Sequence, residues 1–186
     1  MSIKKSRQSM EAKNIDNSKK YRLDETDSLD FNGHTLYRIV ALKDFADVKA
    51  GDKGGYVESE DNLSHDADVW IYDNAIVWCK ANIYDNAQVG GNAKVRDNAQ
   101  VFGKAVISDF AQIYGNAVVF GESYTFGNAK VYDNAQIYGH SRILDNVQIL
   151  GQTQIGGNAR IFGYGELNVN DTIMEDFVLK SNQYNS

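Results

Sequence analysis

The apolar and polar positions of this chain repeat every six residues over most of its length. From Ile71 to Glu166 the repeat runs through sixteen hexapeptides without an insertion. The first position is Val or Ile in fifteen of them, with Thr125 as the exception, and the fifth position is Ala in eleven. An amphipathic helix would need apolar residues at mixed spacings of three and four, so the pattern predicts short strands instead.

Each strand is followed by a predicted corner. The third position is Asp or Gly in fifteen of the sixteen hexapeptides, and the fourth is Asn in nine. These residues adopt turn and left-handed conformations at little cost. A single short strand cannot bury its own apolar face, so the units must stack. Three strands and three corners then close a triangular coil of eighteen residues, with successive coils about 4.8 Å apart.

An aliphatic first position and a small fifth position resemble the repeat of the left-handed parallel β-helix in hexapeptide-repeat proteins. The resemblance implies an all-β fold with 18-residue triangular coils. The left hand comes from the resemblance alone, because the general rule for parallel strand connections favours the right hand.

A second resemblance lies in front of the repeat. The segments Leu36–Phe45 and Val48–Ser64 are similar to the N-terminal module of YdcK-like hexapeptide-repeat proteins, and the similarity extends over roughly residues 23–170. Such proteins are common in phages and bacteria, and they are labelled acyltransferases or left unassigned. The resemblance therefore implies the fold, and it implies no settled activity.

The chain divides into four predicted segments. Residues 1–22 form a basic polar N-terminal arm, frayed or loosely helical, and residues 23–56 an acidic hairpin cap around the turn Asn32-Gly33. Asn-Gly is a strong hairpin signal. Residues 57–170 form the β-helix, whose frame slips by two near Trp70 and predicts a widened corner or bulge there. Residues 171–186 are a short C-terminal cap and tail, in which strand extension and a short helix remain alternatives.

Charge is concentrated at the N-terminal end. The formal net charge is −6, with +5 in residues 1–22 and −9 in residues 23–73. No apolar run is long enough to span a membrane and no signal peptide opens the chain, so we expect a cytoplasmic protein without a membrane partner. The single Cys79 cannot form an internal disulfide and is interpreted as an inert thiol at a corner.

Aromatic residues recur at the second hexapeptide position, which points outward because the first points inward. The 18-residue coil places Tyr84, Phe102, Phe120 and Tyr138 in one column, and Tyr114 and Tyr132 in a second column with Trp78, Arg96 and Leu150. Stacked rings stabilise neighbouring strands, and a contiguous aromatic patch also marks an interface. We favour the interface and predict that these six aromatic residues bind a partner.

Catalysis is the alternative. Hexapeptide-repeat acyltransferases use a catalytic His, and the resemblance offers His140 as a general base for acetyl-CoA-dependent transfer. No loop breaks the coils to wall an acyl donor, which counts against that activity. One Cys and three scattered His lack metal-ligand spacing, and the corner Asp residues are explained by turn chemistry. We therefore predict no cofactor and no metal.

The sequence thus favours a non-catalytic protein-binding β-helix. The phage resemblance sharpens this to an inhibitor of a host nucleic-acid-processing or defence enzyme, in the manner of anti-CRISPR proteins. Its acidic surface would offer carboxylates where phosphates bind, and direct nucleic-acid binding is not expected. The partner is a host enzyme or a second copy of the chain, which would make a homo-oligomer through the aromatic face. The predicted acidic residues are Glu58, Glu60, Asp61, Asp66 and Asp68.

Overall fold

A computed structural model describes residues 18–179 of the chain as a parallel β-solenoid of about seven coils, preceded by an antiparallel hairpin. The predicted all-β fold and the 18-residue coil are confirmed. The left-handed sense stays a prediction from the resemblance. The first seventeen residues of the predicted arm and the end of the tail lie outside the described residues.

The described part of the chain contains twenty-one strands and a short 3₁₀ helix, Glu60–Asn62. The strands are β1 Tyr21–Phe31, β2 His34–Ala41, β3 Lys53–Val57, β4 Trp70–Ile71, β5 Ile76–Val77, β6 Asn82–Ile83, β7 Gln88–Val89, β8 Lys94–Val95, β9 Gln100–Val101, β10 Val106–Ile107, β11 Gln112–Ile113, β12 Val118–Val119, β13 Tyr124–Thr125, β14 Lys130–Val131, β15 Gln136–Ile137, β16 Arg142–Ile143, β17 Asn146–Leu150, β18 Gln154–Ile155, β19 Arg160–Asn168, β20 Thr172–Ile173 and β21 Phe177–Leu179.

Three parallel faces enclose the core. The first face contains β3, β5, β8, β11, β14 and β17, and the second contains β4, β7, β10, β13, β16 and β19. The third face contains β6, β9, β12, β15, β18 and β20. The first two faces join near the C-terminal end, where β17 pairs with β19 around a straightened corner.

The first hexapeptide position fills the interior, as predicted. Ile137 is fully buried and pairs with Val119 of the preceding coil and Ile155 of the next. Thr125 also points inward and is fully buried, although its hydroxyl has no hydrogen-bond partner among residues 18–179. Burying each aliphatic side chain contributes about 1.5–3 kcal/mol. The other inward columns behave alike, for example Val89, Ile107, Ile143 and Ile161.

The Asp residues at the corners hold neighbouring coils together. Asp73 has a φ of 55°, and its Oδ2 accepts a hydrogen bond of 2.9 Å from the backbone N–H of Gly91, one coil further on. The same contact recurs at every Asp in the third hexapeptide position, and each acceptor is followed by a Gly donor eighteen residues later. Turn chemistry therefore explains these carboxylates, as predicted from the sequence.

The N-terminal hairpin continues the first face beyond the coils. β1 pairs with β2 around the turn Asn32-Gly33, β2 pairs antiparallel with β3, and β3 pairs in parallel with β5. The strand edge of the first coil on this face is therefore occupied by β2. The predicted hairpin is confirmed, but it begins before residue 23, and β3 extends it to a third strand.

The prediction of a frayed arm through residue 22 is wrong at its C-terminal end. Lys20 and Tyr21 are almost fully buried, and β1 begins at Tyr21. The hydroxyl of Tyr21 donates a 2.6 Å hydrogen bond to the carbonyl of Leu63, and its ring stacks on His65 at 4.2 Å. The aromatic ring covers the open end of the apolar interior, which local polarity along the chain does not reveal.

The first coil is wider than the others. Val57 pairs with Val77 and Leu63 bridges to Ile83, intervals of twenty residues, whereas Ile71 pairs with Val89 at the usual eighteen. The two extra residues therefore lie in the corner between Leu63 and Ile71, which confirms the predicted frame slip. The Nζ of Lys20 fills this corner and donates to the carbonyls of Asp66, Ala67 and Val69 at 3.3, 3.1 and 2.8 Å.

The buried Lys20 predicts an unusual pH dependence of stability. Burial lowers the pKa of Lys20 from 10.5 to about 8, against the opposing effect of Asp68 and Asp66. Between pH 8 and 10 the unfolded chain binds more protons than the folded one at this residue, so stability should rise with pH, by about 2 kcal/mol. Above pH 10 the trend reverses, because burial raises the pKa of Tyr21 and ionisation then favours unfolding.

Urea unfolding at pH 8 and pH 10 measures this rise, and the Lys20→Met variant is the control in which it should vanish. Parallel pH profiles for the parent and Lys20→Met would contradict the assignment. The substitution keeps the length of the side chain while removing the titrating group.

Between residues 171 and 179 the chain forms strands β20 and β21, so the alternative of a short helix is wrong for this segment. Ile173 pairs with Ile155 and continues the third face. Phe177 pairs with Ile161 at an interval of sixteen residues, so the last coil is shorter by two. Within residues 18–179 no helix is long and apolar enough to cross a membrane.

Candidate functional site

Four aromatic rings stack in a column along the third face. The ring centroids lie 4.8 Å apart between Tyr84 and Phe102, 5.0 Å between Phe102 and Phe120, and 5.3 Å between Phe120 and Tyr138. The ring planes are within 16° of parallel. The interval matches the spacing of paired strands, so each coil adds one ring. We call these four residues the aromatic ladder; all four are half-buried.

The outward strand positions beside the ladder are uncharged. The second outward column of its strands, from β6 to β18, consists of Asn82, Gln100, Val118, Gln136 and Gln154. The ladder ends at Gly156, where a Cβ would overlap the Tyr138 ring. Burial raises the pKa of Tyr84 above its ordinary value, so its hydroxyl remains neutral at physiological pH. The outward strand positions of this face thus carry only amide, aromatic and aliphatic groups.

The second predicted column lies on the first face and is only partly accessible. Arg96 lies over the Tyr114 ring at 4.1 Å, and Tyr114 stacks on Tyr132 at 4.7 Å. Trp78, at the capped end of this column, is only 3% exposed because Phe31 of the hairpin packs edge-on against it. The six predicted aromatic residues therefore lie on two faces, and only the ladder forms an unbroken column of four rings.

Two of the five predicted acidic residues use their carboxylates in contacts within the folded cap. Glu58 accepts one hydrogen bond from the Cys79 backbone N–H and lies 2.8 Å from His34 Nδ1, and Glu60 forms an ion pair with Lys19. Both carboxylates are therefore engaged within the cap. The remaining three predicted residues, Asp61, Asp66 and Asp68, are exposed at the capped end of the coils.

His140 occupies an exposed corner. Its side chain is 65% exposed, and Nδ1 lies 3.3 Å from a Glu122 carboxylate oxygen. Glu122 also pairs with Lys104 at 3.0 Å, so the three side chains form a vertical series at eighteen-residue intervals. This geometry is that of a surface ion-pair network, which in solvent contributes little to stability.

The structure brings together three residues that sequence spacing did not connect. His34 begins β2, Glu58 follows β3, and Cys79 forms the corner after β5. His34 Nε2 lies 4.0 Å from Cys79 Sγ, while its Nδ1 contacts Glu58 Oε1 at 2.8 Å. Glu58 Oε2 accepts a 2.7 Å hydrogen bond from the Cys79 backbone. The hydrogen bond with His34 holds the pKa of Glu58 below its usual range. We call these residues the Cys–His–Glu cluster.

An open cleft of about 370 Å³ adjoins this cluster. Lys94 on its wall lies 4.9 Å from the centre of the Phe31 ring, and Arg96 pairs with Asp97 at 2.6 Å. The lining combines the tip of the hairpin with the first face of the coils. Its residues include Asn32, His34, Trp78, Cys79 and Gln112.

Comparison with known families identifies the repeat. Residues 111–123 match the model of the YdcK Beta solenoid repeat. This short segment of the coils is therefore similar to a YdcK β-solenoid repeat. This confirms the resemblance to YdcK-like proteins within the coils. A search of curated proteins gives no match.

The matched YdcK repeat segment contributes to both aromatic columns. It spans β11 and β12, and it contains Tyr114 of the first face and Phe120 of the ladder. Both second hexapeptide positions within the matched segment are therefore aromatic, and both point outward. The repeat forms the scaffold, while the side chains on each face determine what the scaffold binds.

Proposed function

We propose that this YdcK-repeat protein is a non-catalytic binding protein that docks a protein partner on its third face. The observation that carries the proposal is the aromatic ladder, flanked by uncharged outward strand positions. The cores of protein interfaces are depleted in charged residues and enriched in aromatic ones. The composition of the third face matches that description better than the first face, which carries Lys94, Arg96 and Lys130.

Stacking also prepares the rings for binding. Each ring of the ladder is already stacked on its neighbours, with ring centroids 4.8 to 5.3 Å apart, so little side-chain entropy remains to be lost on association. Cross-strand stacking by itself stabilises the coils by roughly 0.2–1 kcal/mol per pair. The two roles are compatible, and they predict different consequences when the rings are removed.

The partner we favour is an enzyme that processes nucleic acid, and the proposed action is inhibition in the manner of anti-CRISPR proteins. The support comes from charge and position. The net charge is −6, and Asp61 lies directly above the third face, where its carbonyl accepts a hydrogen bond from Asn82. Asp68 follows on the next corner, bonded through its backbone to Asn86. One partner could contact both the ladder and these carboxylates, which would take the place of phosphates in a basic groove.

Removing two central rings tests the proposal. We expect Phe102→Ser with Phe120→Ser to weaken inhibition of a purified RNA-guided defence nuclease at least ~10-fold, because central aromatic residues dominate interface energies. Nuclease cleavage measured against inhibitor concentration gives the effect. Sedimentation of the protein alone, with and without the substitutions, detects the alternative in which the ladder joins two copies of the chain.

The matched control removes two Phe residues from the same repeat position on the second face, by Phe126→Ser with Phe162→Ser. It should leave binding and mass in solution unchanged. If the ladder variant keeps the parent's mass and inhibition and loses only melting temperature, the rings merely stack and the proposal fails. The exposed residues Asp61, Asp66 and Asp68 would then be the next surface to neutralise.

A further inference from the structure

The Cys–His–Glu cluster departs from the rest of the solenoid in two respects. Cys79 adopts a φ of 57° at a corner position that is otherwise Asp or Gly. A Cys in this region of backbone space is uncommon, and such residues are concentrated at functional sites. A hairpin imidazole, that of His34, also lies beside its sulfur.

Glu58 has two separate tasks in this cluster. At the regular corners, an Asp of one coil accepts a hydrogen bond from the corner N–H of the next coil. Glu58 Oε2 makes the equivalent contact with the N–H of Cys79. The longer side chain leaves Oε1 directed at His34. The shorter side chain of Asp makes the backbone contact at the regular corners. The extra length of the Glu58 side chain therefore serves its contact with His34.

We propose that Cys79 Sγ, a ring nitrogen of His34 and Glu58 Oε1 bind one divalent metal ion, of which Zn²⁺ suits the donors best. Atoms of the three side chains lie within 4.8 Å of one another. Tetrahedral zinc with bonds of about 2.0–2.3 Å separates its ligands by about 3.3–3.7 Å. Cys79 Sγ must therefore move inward, while His34 Nδ1 and Glu58 Oε1, now 2.8 Å apart, exchange their hydrogen bond for the metal and separate slightly. Glu58 Oε2 keeps its backbone hydrogen bond and fixes the carboxylate while Oε1 coordinates.

The donor set selects the class of metal. A thiolate, an imidazole and one carboxylate suit zinc and related borderline-soft ions, whereas Ca²⁺ requires six to eight oxygen ligands. Three protein ligands leave a fourth position for water, which is the arrangement of open rather than closed zinc sites. The adjoining cleft gives solvent access to that position, since His34, Cys79 and the cleft share one surface.

Titration of the untagged, reduced full-length protein with zinc chloride by calorimetry tests the site. We expect one equivalent to bind with micromolar affinity or better, with release of about one proton as the thiol ionises. Cobalt(II) should give the near-ultraviolet sulfur-to-cobalt charge-transfer band in the parent. Cys79→Gly and His34→Ala should each weaken zinc binding at least ~10-fold.

The controls separate coordination from unfolding. Cys79→Gly places at the corner the residue most common there, so the variant should fold, as far-ultraviolet circular dichroism can verify. His140→Ala and Glu122→Gln alter an exposed His and Glu elsewhere and should leave zinc binding unchanged. Failure of the parent to bind zinc overturns the proposal, and so does binding that persists in Cys79→Gly or that lacks the cobalt–sulfur band.

Discussion

The Ile137→Asp variant is expected to lose at least about 4 kcal/mol of stability and the cooperative melting of the central coils, because it buries an unpaired carboxylate. Ile137 is fully buried between Val119 and Ile155 in a column of aliphatic side chains. The solenoid offers no cation within that column to pair with the new charge. Circular dichroism during thermal and urea unfolding measures the loss.

Gln136→Asp is the matched control, since Gln136 precedes Ile137 in β15 and points to the outside. A surface carboxylate should change the free energy of unfolding by no more than about 0.5 kcal/mol. Equal melting temperatures for the two variants would mean that the inward and outward positions have been exchanged. Every face assignment above would then be wrong, because a shift of one residue reverses all side chains of a strand.

Gly54→Ala is expected to cost at least about 3 kcal/mol, at the upper end for overpacking, and to detach the hairpin from the coils. A Cβ at Gly54 would lie 2.5 Å from the carbonyl oxygen of Ile71 and 2.7 Å from side-chain atoms of both Ile39 and Trp70. The backbone oxygen cannot move without displacing β4, which pairs with β7. Hydrogen exchange resolved along the chain should show β1 to β3 losing protection before the coils.

Gly90→Ala provides the comparison. Its Cβ would meet Tyr72 at 3.4 Å, an ordinary contact. The substitution should be neutral or slightly stabilising, because Ala restricts the unfolded chain more than Gly. A Gly54→Ala protein that is as stable as Gly90→Ala would contradict the close packing of β3 against β4.

The coils could be predicted from sequence because their structure is local and repeated. Val89 and Ile107 occupy equivalent positions in consecutive coils, so a single rule places every inward side chain. The aromatic ladder followed from the same rule, since its members are eighteen residues apart. Even the wide first coil was signalled, by the frame slip between Leu63 and Ile71.

The contacts of the hairpin and the Cys–His–Glu cluster could not be predicted from the repeat, because they join residues that are far apart in the chain. Lys20 follows a polar segment, and its side chain is buried because the widened corner offers it three carbonyls and Phe45 offers it a ring face. His34 reaches Cys79 across forty-five positions of the chain because the hairpin folds down beside the first face. The one local signal was Cys79 itself, which occupies a corner that otherwise holds Asp or Gly.

The Asp-to-Gly contacts at the corners set the length by which this solenoid can grow or shrink. One corner column reads Asp73, Gly91, Asp109, Gly127, Asp145, Gly163. Excising eighteen residues would replace the Asp73–Gly91 contact by an Asp73–Asp109 contact, with two like-charged carboxylates one strand spacing apart. Excising thirty-six residues would place Asp73 against Gly127 and restore the hydrogen bond. At this corner the unit of duplication and deletion is therefore a pair of coils, twice the period that the apolar pattern suggests.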